Sequence, residues 1–462
     1  MNLDTAKNII AALLIFTVIV VIHELGHFLL AKKNGVGVIE FSVGMGPRLV
    51  TLVKTEKGMQ VRFLVSGEVF DKTPEWKNRT KYSWKLLPLG GSCIMVGEDE
   101  LVDREDAFGK KGVWARISVI FAGPFFNFIL AFIISLVVVG EKGVDTPEVF
   151  FVQEDRPGEE AGIQVGDEIV SIGGKSIGIG RDVDAYQQFD LVDEEVEVVL
   201  LRDGKERKLT LNPVYETYLF GFSYEKKTSE AVLTAVTQDM PFAQAGMKAG
   251  DVITGINGEK ISSGSELNEY MQRQKLNGRE FTFTYEREGK EDTISIAPVQ
   301  YTGRTLGFYA GKYEKTNTLG VVRYSFTEVR YWITTTIRSV AQLVTGKISA
   351  KELAGPVGIV DMVGEVIEES EALEKEKKEG ISPVVLNILY MMVLLSANLG
   401  VMNLLPIPAL DGGRLVFLLI EAVRGKPIDP EKEGIVHLVG FALLMILMVY
   451  VMYNDIVRIF TR

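Results

Sequence analysis

Inside one long apolar stretch, residues 8 to 31, lies His-Glu-Leu-Gly-His, with His23, Glu24 and His27 as its ionisable members. Two imidazoles at i and i+4 stand about one turn apart on the same helical face, so both can grip one divalent metal. The carboxylate that follows the first of them is placed to act as a base. Ionisable groups at bilayer depth cost about 3 kcal/mol each on insertion scales, so they persist where a charged or metal partner uses them. Catalytic zinc takes three protein ligands and leaves a fourth position for water, whose pKa then falls to about 7. A third ligand must therefore come from elsewhere in the chain.

Two residues compete for that place. His437, the only other histidine, begins the last apolar stretch. It reads as an interfacial residue on the side away from HELGH. Asp411 is better placed, because the third apolar stretch ends in NLLPIPALDGG, where Pro406 and Pro408 break the helix and free backbone. Counting about 1.5 Å per residue from the outer end of the first helix puts His23 about 22 Å deep, in the inner part of the bilayer. Asp411 approaches that level from the third stretch.

The elements that must position these groups follow from composition. With 462 residues, 47% of them apolar, the chain is too long for one domain and too apolar for a purely soluble protein. Four stretches, 8 to 31, 113 to 140, 383 to 405 and 435 to 456, are near the ~20 residues that cross a bilayer. Lys32, Lys33, Lys110, Lys111 and Arg116 flank the region between the first two, and Arg414, Arg424 and Lys426 follow the third. The positive-inside rule makes both regions cytoplasmic, so residues 141 to 382 and both termini are expected outside. The first stretch is read as a retained span, because no small-residue cleavage site follows it and Lys32 and Lys33 act as a stop. Cys93 is alone, which excludes an intramolecular disulfide. The net charge is −11, and the dense run from Glu365 to Glu379 mixes acids with Lys375, Lys377 and Lys378. Nucleic acid is not an expected partner.

Sliding the 141 to 382 region against itself by 84 residues aligns PGEEAGIQVGDEIVSIGGKSI at 157 to 177 with PFAQAGMKAGDVITGINGEKI at 241 to 261. Each copy reads as a helical turn, a Gly-Asp opening a short strand, then a glycine turn into another strand. Two tandem domains of about 85 residues are expected. The pattern resembles PDZ domains of the bacterial envelope-protease type, with GFS at 221 to 223 and GFY at 307 to 309 as ligand-facing strands. Such modules bind extended peptides or chain ends by strand addition. A purely gating or spacing role is the other open reading.

HELGH at 23 to 27, FSVGMGP at 41 to 47, YSWKLLPLGG at 82 to 91, AGPFFN at 122 to 127, AGPVGI at 354 to 359 and NLLPIPALDGG at 403 to 413 together resemble the site-2 protease family of intramembrane zinc metalloproteases, in particular its two-PDZ type. The resemblance spans nearly the whole chain. It implies that His23, His27 and Asp411 hold Zn2+ and that Glu24 is the general base. It also implies that Asn403 contacts the substrate backbone, with a capping or interhelical hydrogen bond as the alternative. Asn398 and Asn127 match further family asparagines, Asn398 as a second substrate contact. Residues 54 to 81 are longer than the family's usual link, and SCIMVGE at 92 to 98 replaces its usual continuation.

The fold class expected is a polytopic α-helical membrane protein with four transmembrane helices, a cytoplasmic membrane-associated β-loop region and two external β-rich PDZ domains. Its parts are helix 1 (1–31), the β-loop region (32–112), helix 2 (113–140), PDZ domains at 141–227 and 228–314, and an amphipathic and charged region (315–382). Helix 3 with its Pro break (383–412), a cytoplasmic loop (413–434) and helix 4 with the C-terminus (435–462) complete it. Strands are expected at 38 to 53, 59 to 70 and 82 to 96, with turns at Gly44–Pro47 and Pro88–Gly91. In the family such segments form a membrane-dipping β-loop that pairs with an unwound substrate. Gly123-Pro124 reads either as a kink that makes a lateral opening or as a packing feature. Residues 323 to 350 read either as a helix lying at the membrane interface or as a soluble helix on the second PDZ domain.

The resemblance implies an endopeptidase of the bacterial plasma membrane. It would cut transmembrane segments of single-span proteins, of anti-sigma-factor or remnant-signal-peptide type, near the cytoplasmic side of the lipid bilayer. The PDZ domains would take peptide or protein ligands. The rival reading is a catalytically inactive membrane-anchored PDZ adaptor or chaperone with a structural zinc site. Zinc transport lacks a second polar path through the spans.

Overall fold

A computed structural model describes residues 3–67, 69, 73–76, 78–98, 102–349, 352–374 and 380–461. Lys375, Lys377, Lys378 and Glu379 of the charged run lie outside them, as do positions 68 and 70 of the expected strand 59 to 70. Four helices are long and apolar enough to cross a membrane: Ala6–Lys33, Val113–Lys142, Pro383–Leu404 and Glu431–Arg458. They match the four expected stretches and are called the first to fourth spans. The chain divides into two units, residues up to 144 together with 313–461, and residues 145–312.

In the first unit the first and second spans touch backbone to backbone. A Cβ at Gly26 would lie 2.7 Å from the Ala122 carbonyl carbon, so only glycine permits this approach. Ala12, Ile15 and Ile19 of the first span bury against Val363 and Ile367 of helix Pro356–Glu374 and Met391 of the third span. Ala131 and Ile134 of the second span bury against Leu386 and Val393 of the third and Val329 of helix Thr318–Val344. That last helix is capped by Asn317, whose side chain accepts from Gly320 N at 2.8 Å. It packs on the second and third spans. The second span runs unbroken through Pro124.

Helix Pro430–Thr461, which carries the fourth span, is tied to Pro356–Glu374 by one buried carboxylate. Asp455, 1% exposed, accepts from Gly355 N at 3.2 Å and Gly358 N at 2.8 Å. Cβ atoms at Gly355 and Gly358 would stand 2.7 and 2.9 Å from its oxygens. The AGPVGI segment is thus the helix start that this carboxylate caps.

Between the first two spans lie β1 (Val38–Thr55), β2 (Gly58–Phe63) and β3 (Lys81–Met95), in the order β2-β1-β3. Phe41 is opposite both Tyr82 and Cys93, and Tyr82 is opposite both Phe41 and Leu52. Each long strand must therefore double back, β1 around Gly44–Pro47 and β3 around Leu86–Gly90. Gly44, Gly46 and Gly90 carry φ of 83°, 86° and 67°, the left-handed region that favours glycine. The expected turns are where the sequence placed them, and the expected strand 59 to 70 ends at Phe63.

In the second unit, Phe308–Glu314, Val144–Val152, Glu168–Ile172, Val196–Arg202 and Lys205–Leu211 form one sheet in that order. Val252–Ile256, Phe281–Arg287 and Lys290–Ile296 belong to another. The Gly-Asp of each repeat has the same task. Asp167 accepts from Gln164 N at 2.8 Å and pairs with Arg202, and Asp251 accepts from Lys248 N at 2.8 Å and pairs with Arg287. Burial works against the charge of Asp251, but Arg287 outweighs it and holds the carboxyl below the usual carboxylate range.

The expected cut at 227/228 does not follow the cores. Leu306, Phe308 and Ala310 bury with Val149 and Val198 of the first repeat, whereas Phe220 and Leu233 bury with Ile253 and Phe283 of the second. Strands Val214–Leu219 and Val299–Arg304 pair as an antiparallel ribbon that leads into the second core and back. Both glycine-phenylalanine strands look alike in sequence, so only the ribbon decides which core each one completes.

Asp455→Ala leaves two amide N–H groups without an acceptor. It is expected to lower stability by about 1–3 kcal/mol, read as a lower Tm in detergent, with Asp455→Asn intermediate.

Candidate metal centre

The first span is helical through HELGH, so His23 and His27 project one turn apart and are each 7% exposed. Their Nε2 atoms are 3.1 Å apart. His27 Nδ1 lies 2.9 Å from Val119 O. A carbonyl only accepts, so this nitrogen carries the proton and Nε2 presents a lone pair. His23 Nδ1 lies 3.2 Å from the side-chain nitrogen of Asn127.

Asp411 reaches the same point from the third span. Leu405 leaves the helix in extended backbone, Ala409 turns with φ 76°, and Asp411 opens helix Asp411–Arg424. Cβ atoms at Gly412 and Gly413 would meet the backbone of Leu404 and Ile407, at 2.5 Å for the nearest Leu404 atoms and for Ile407 O. LDGG therefore folds back tightly against the end of the third span. Ion pairs of Arg414 with Glu98 and of Arg116 with Glu421 fasten the new helix.

Asp411 Oδ2 is 3.0 Å from His23 Nε2 and 3.4 Å from His27 Nε2, yet it makes no directional hydrogen bond among the described residues. A tetrahedral zinc with arms of about 2.0–2.1 Å has ligand-to-ligand edges of about 3.3–3.4 Å. The triangle of 3.0, 3.1 and 3.4 Å therefore fits zinc, and among the described residues it is the one such group. A buried carboxylate oxygen with no hydrogen bond among the described residues suits a metal ligand.

Glu24 is held apart from the triangle. Cys93 N donates to Glu24 Oε2 at 2.8 Å, so the returning arm of β3 fixes one carboxylate oxygen. Burial, then the charge of Glu24, push the Cys93 thiol up to about 12, which leaves an uncharged neighbour. His23, Glu24, His27, Ser92, Cys93, Asp411 and Arg414 line a cavity of about 310 Å³.

Other expected site residues fall elsewhere. Asn398 accepts a hydrogen bond from Thr336 of helix Thr318–Val344, so it is engaged between helices. Asn403 is half-buried in the last turn of the third span, and neither asparagine lines the cavity. The reading of His437 is corrected. Its Nδ1 accepts from Ala409 N at 2.8 Å, two residues before Asp411, because the fourth span starts on the side where the third one ends. Gly123, read with Pro124 as a kink or a packing feature, lies against both histidines. A Cβ there would lie 2.7 Å from His23 Nε2 and 2.5 Å from His27 Cε1. Small residues on facing spans were the signal for such close approach.

A buried His-His-Asp set beside a fixed glutamate, carried on apolar helices, defines a membrane metallopeptidase. The pattern of peptidase family M50 matches residues 11–75 and 68–447, and the chain belongs to that family, the site-2 proteases. It is 31% identical to zinc metalloprotease RasP of Geobacillus kaustophilus over 99% of both chains. It is 30% identical to the regulator of sigma-W protease RasP of Bacillus subtilis over 98% of this chain and 99% of that one. The probable protease eep of Enterococcus faecalis is 30% identical over 98% and 100%. The protein is a zinc metalloprotease of a bacterial membrane, and the adaptor reading gives way.

Gly123→Ala forces a methyl into both imidazoles. It is expected to reduce bound zinc markedly in metal analysis of purified protein; a full complement would show that the spans can part.

Proposed function

We propose that the chain is an intramembrane endopeptidase in which His23, His27 and Asp411 hold zinc and Glu24 is the general base. The observation that carries this reading is the 3.0 to 3.4 Å triangle set beside a glutamate oriented by a backbone N–H. Zinc bound there supplies Lewis acidity and makes water acidic near neutral pH. Glu24 Oε2 is taken by Cys93 N–H, which leaves Oε1 to remove a proton from the attacking water. The same carboxyl then returns the proton to the leaving amine as the C–N bond breaks and the new C–O bond remains. A donor such as Asn403 would steady the developing oxyanion. Its place eight residues before Asp411 supports that role, and it requires a side-chain movement towards the cavity.

A helical substrate hides its peptide bonds in its own hydrogen-bond ladder and must unwind locally to be cut. Ser92 to Met95 of β3 line the cavity. They offer an extended edge on which an unwound segment could pair beside the metal. Single-span membrane proteins, including anti-sigma factors and remnant signal peptides, are the substrate class this suits. The Bacillus subtilis relative, named as a regulator of sigma-W protease, supports it.

The two repeats of the 145–312 unit are PDZ domains in this proposal. They lie outside the cell with both termini, take extended peptides, and exclude substrates with bulky external domains. The catalytic site lies towards the cytoplasm, a placement supported by Lys32 and Lys33 after the first span and Lys110 and Lys111 before the second.

Purified wild type is expected to cut a tagged single-span substrate while Glu24→Gln does not, with zinc retained in both. Cutting by Glu24→Gln would remove the base from the mechanism. Deleting residues 144–312 is expected to permit cutting of untrimmed substrate; unchanged selectivity would remove the gate.

A further inference from the structure

The site is supported on one side by a residue that neither the ligand triangle nor the base accounts for. Asn127 is fully buried in the second span. Its backbone carbonyl accepts from Ser396 Oγ of the third span at 2.8 Å, so its position is fixed by a neighbour. Its side chain has one partner among the described residues, His23 Nδ1 at 3.2 Å, and its Oδ1 has none. A fully buried amide held against one imidazole, with its acceptor unused, calls for an explanation.

The orientation of that amide is a matter of assignment, because oxygen and nitrogen are nearly the same size. With nitrogen towards His23, Nδ1 must accept, and the imidazole proton then sits on Nε2. A protonated Nε2 points into the triangle and cannot donate a lone pair. With oxygen towards His23, Nδ1–H donates to Oδ1, and Nε2 presents its lone pair beside those of His27 and Asp411. The half-turn leaves the number of unpartnered buried atoms unchanged, since the NH2 group takes the place Oδ1 now holds. His27 already has the equivalent arrangement through Val119 O.

Resting on the zinc reading above, we infer that Asn127 is a positioning residue whose side-chain oxygen accepts from His23 Nδ1 and so fixes the tautomer that binds metal. Partners of this kind behind a ligating histidine change metal affinity by about 10–100-fold when lost. The second span would then orient both imidazoles, His27 through a backbone carbonyl and His23 through Asn127.

The test measures zinc affinity of the full-length protein in detergent by competition with a chromophoric chelator. The variants are Asn127→Leu, Asn127→Asp and His23→Ala. Leucine keeps the volume and removes the acceptor, so affinity is expected to fall about 10–100-fold. Aspartate can only accept, so affinity is expected to stay within a few-fold of wild type. A packing role predicts the reverse order, with leucine tolerated and aspartate harmful. Leucine binding zinc as tightly as wild type, or aspartate binding it more weakly than leucine, would overturn the inference. His23→Ala separates the two layers: if it binds zinc like wild type, the ligand reading itself fails. If only His23→Ala loses zinc, the ligands stand and Asn127 has no part in orienting them.

Discussion

The close contact between the first and second spans is the constraint on which the rest depends. Two histidines and a glutamate sit in a helix otherwise built for hydrocarbon, and no bulk water is there to satisfy them. Gly26 against Ala122, and Gly123 against both imidazoles, bring the backbones close enough for the second span to supply the missing partners. One glycine on either face replaced by a larger residue would separate Val119 O and Asn127 from the rings they meet. The contact matters for the direction of lone pairs more than for the area it buries.

The other half of the site depends on strands. β3 doubles back at Leu86–Gly90, and its returning arm gives one N–H to Glu24 while its neighbours line the cavity. That single hydrogen bond separates the roles within HELGH: the histidines face Asp411, and the glutamate faces the sheet. The loop after the third span completes the set, held by His437 on one side and by glycine packing on the other.

Much of this was legible in the residues. The four spans follow from apolar runs of membrane length, the clustering of His23, His27 and Asp411 from i, i+4 spacing and a proline-broken span, and the β-turns from glycines that carry positive φ. What was not legible depends on distance in space. His437 was placed on the wrong side although the basic residues between the third and fourth spans already put the start of the fourth span beside the end of the third. Asn127 and Gly123 form part of an AGPFFN segment whose meaning appears only when the first span lies against it. The boundary between the repeats was misplaced because two near-identical strands can complete either core, and pattern alone carries no information about which.

The ribbon of Val214–Leu219 and Val299–Arg304 makes the second repeat an insert within the first. This sets an order of maturation during synthesis. The inner core, from Phe220 to Ile296, is fully made before Leu306, Phe308 and Ala310 emerge to close the outer one. The repeat that begins first is thus finished last. A nascent chain halted between the two would carry one complete core on an outer one still open along its edge.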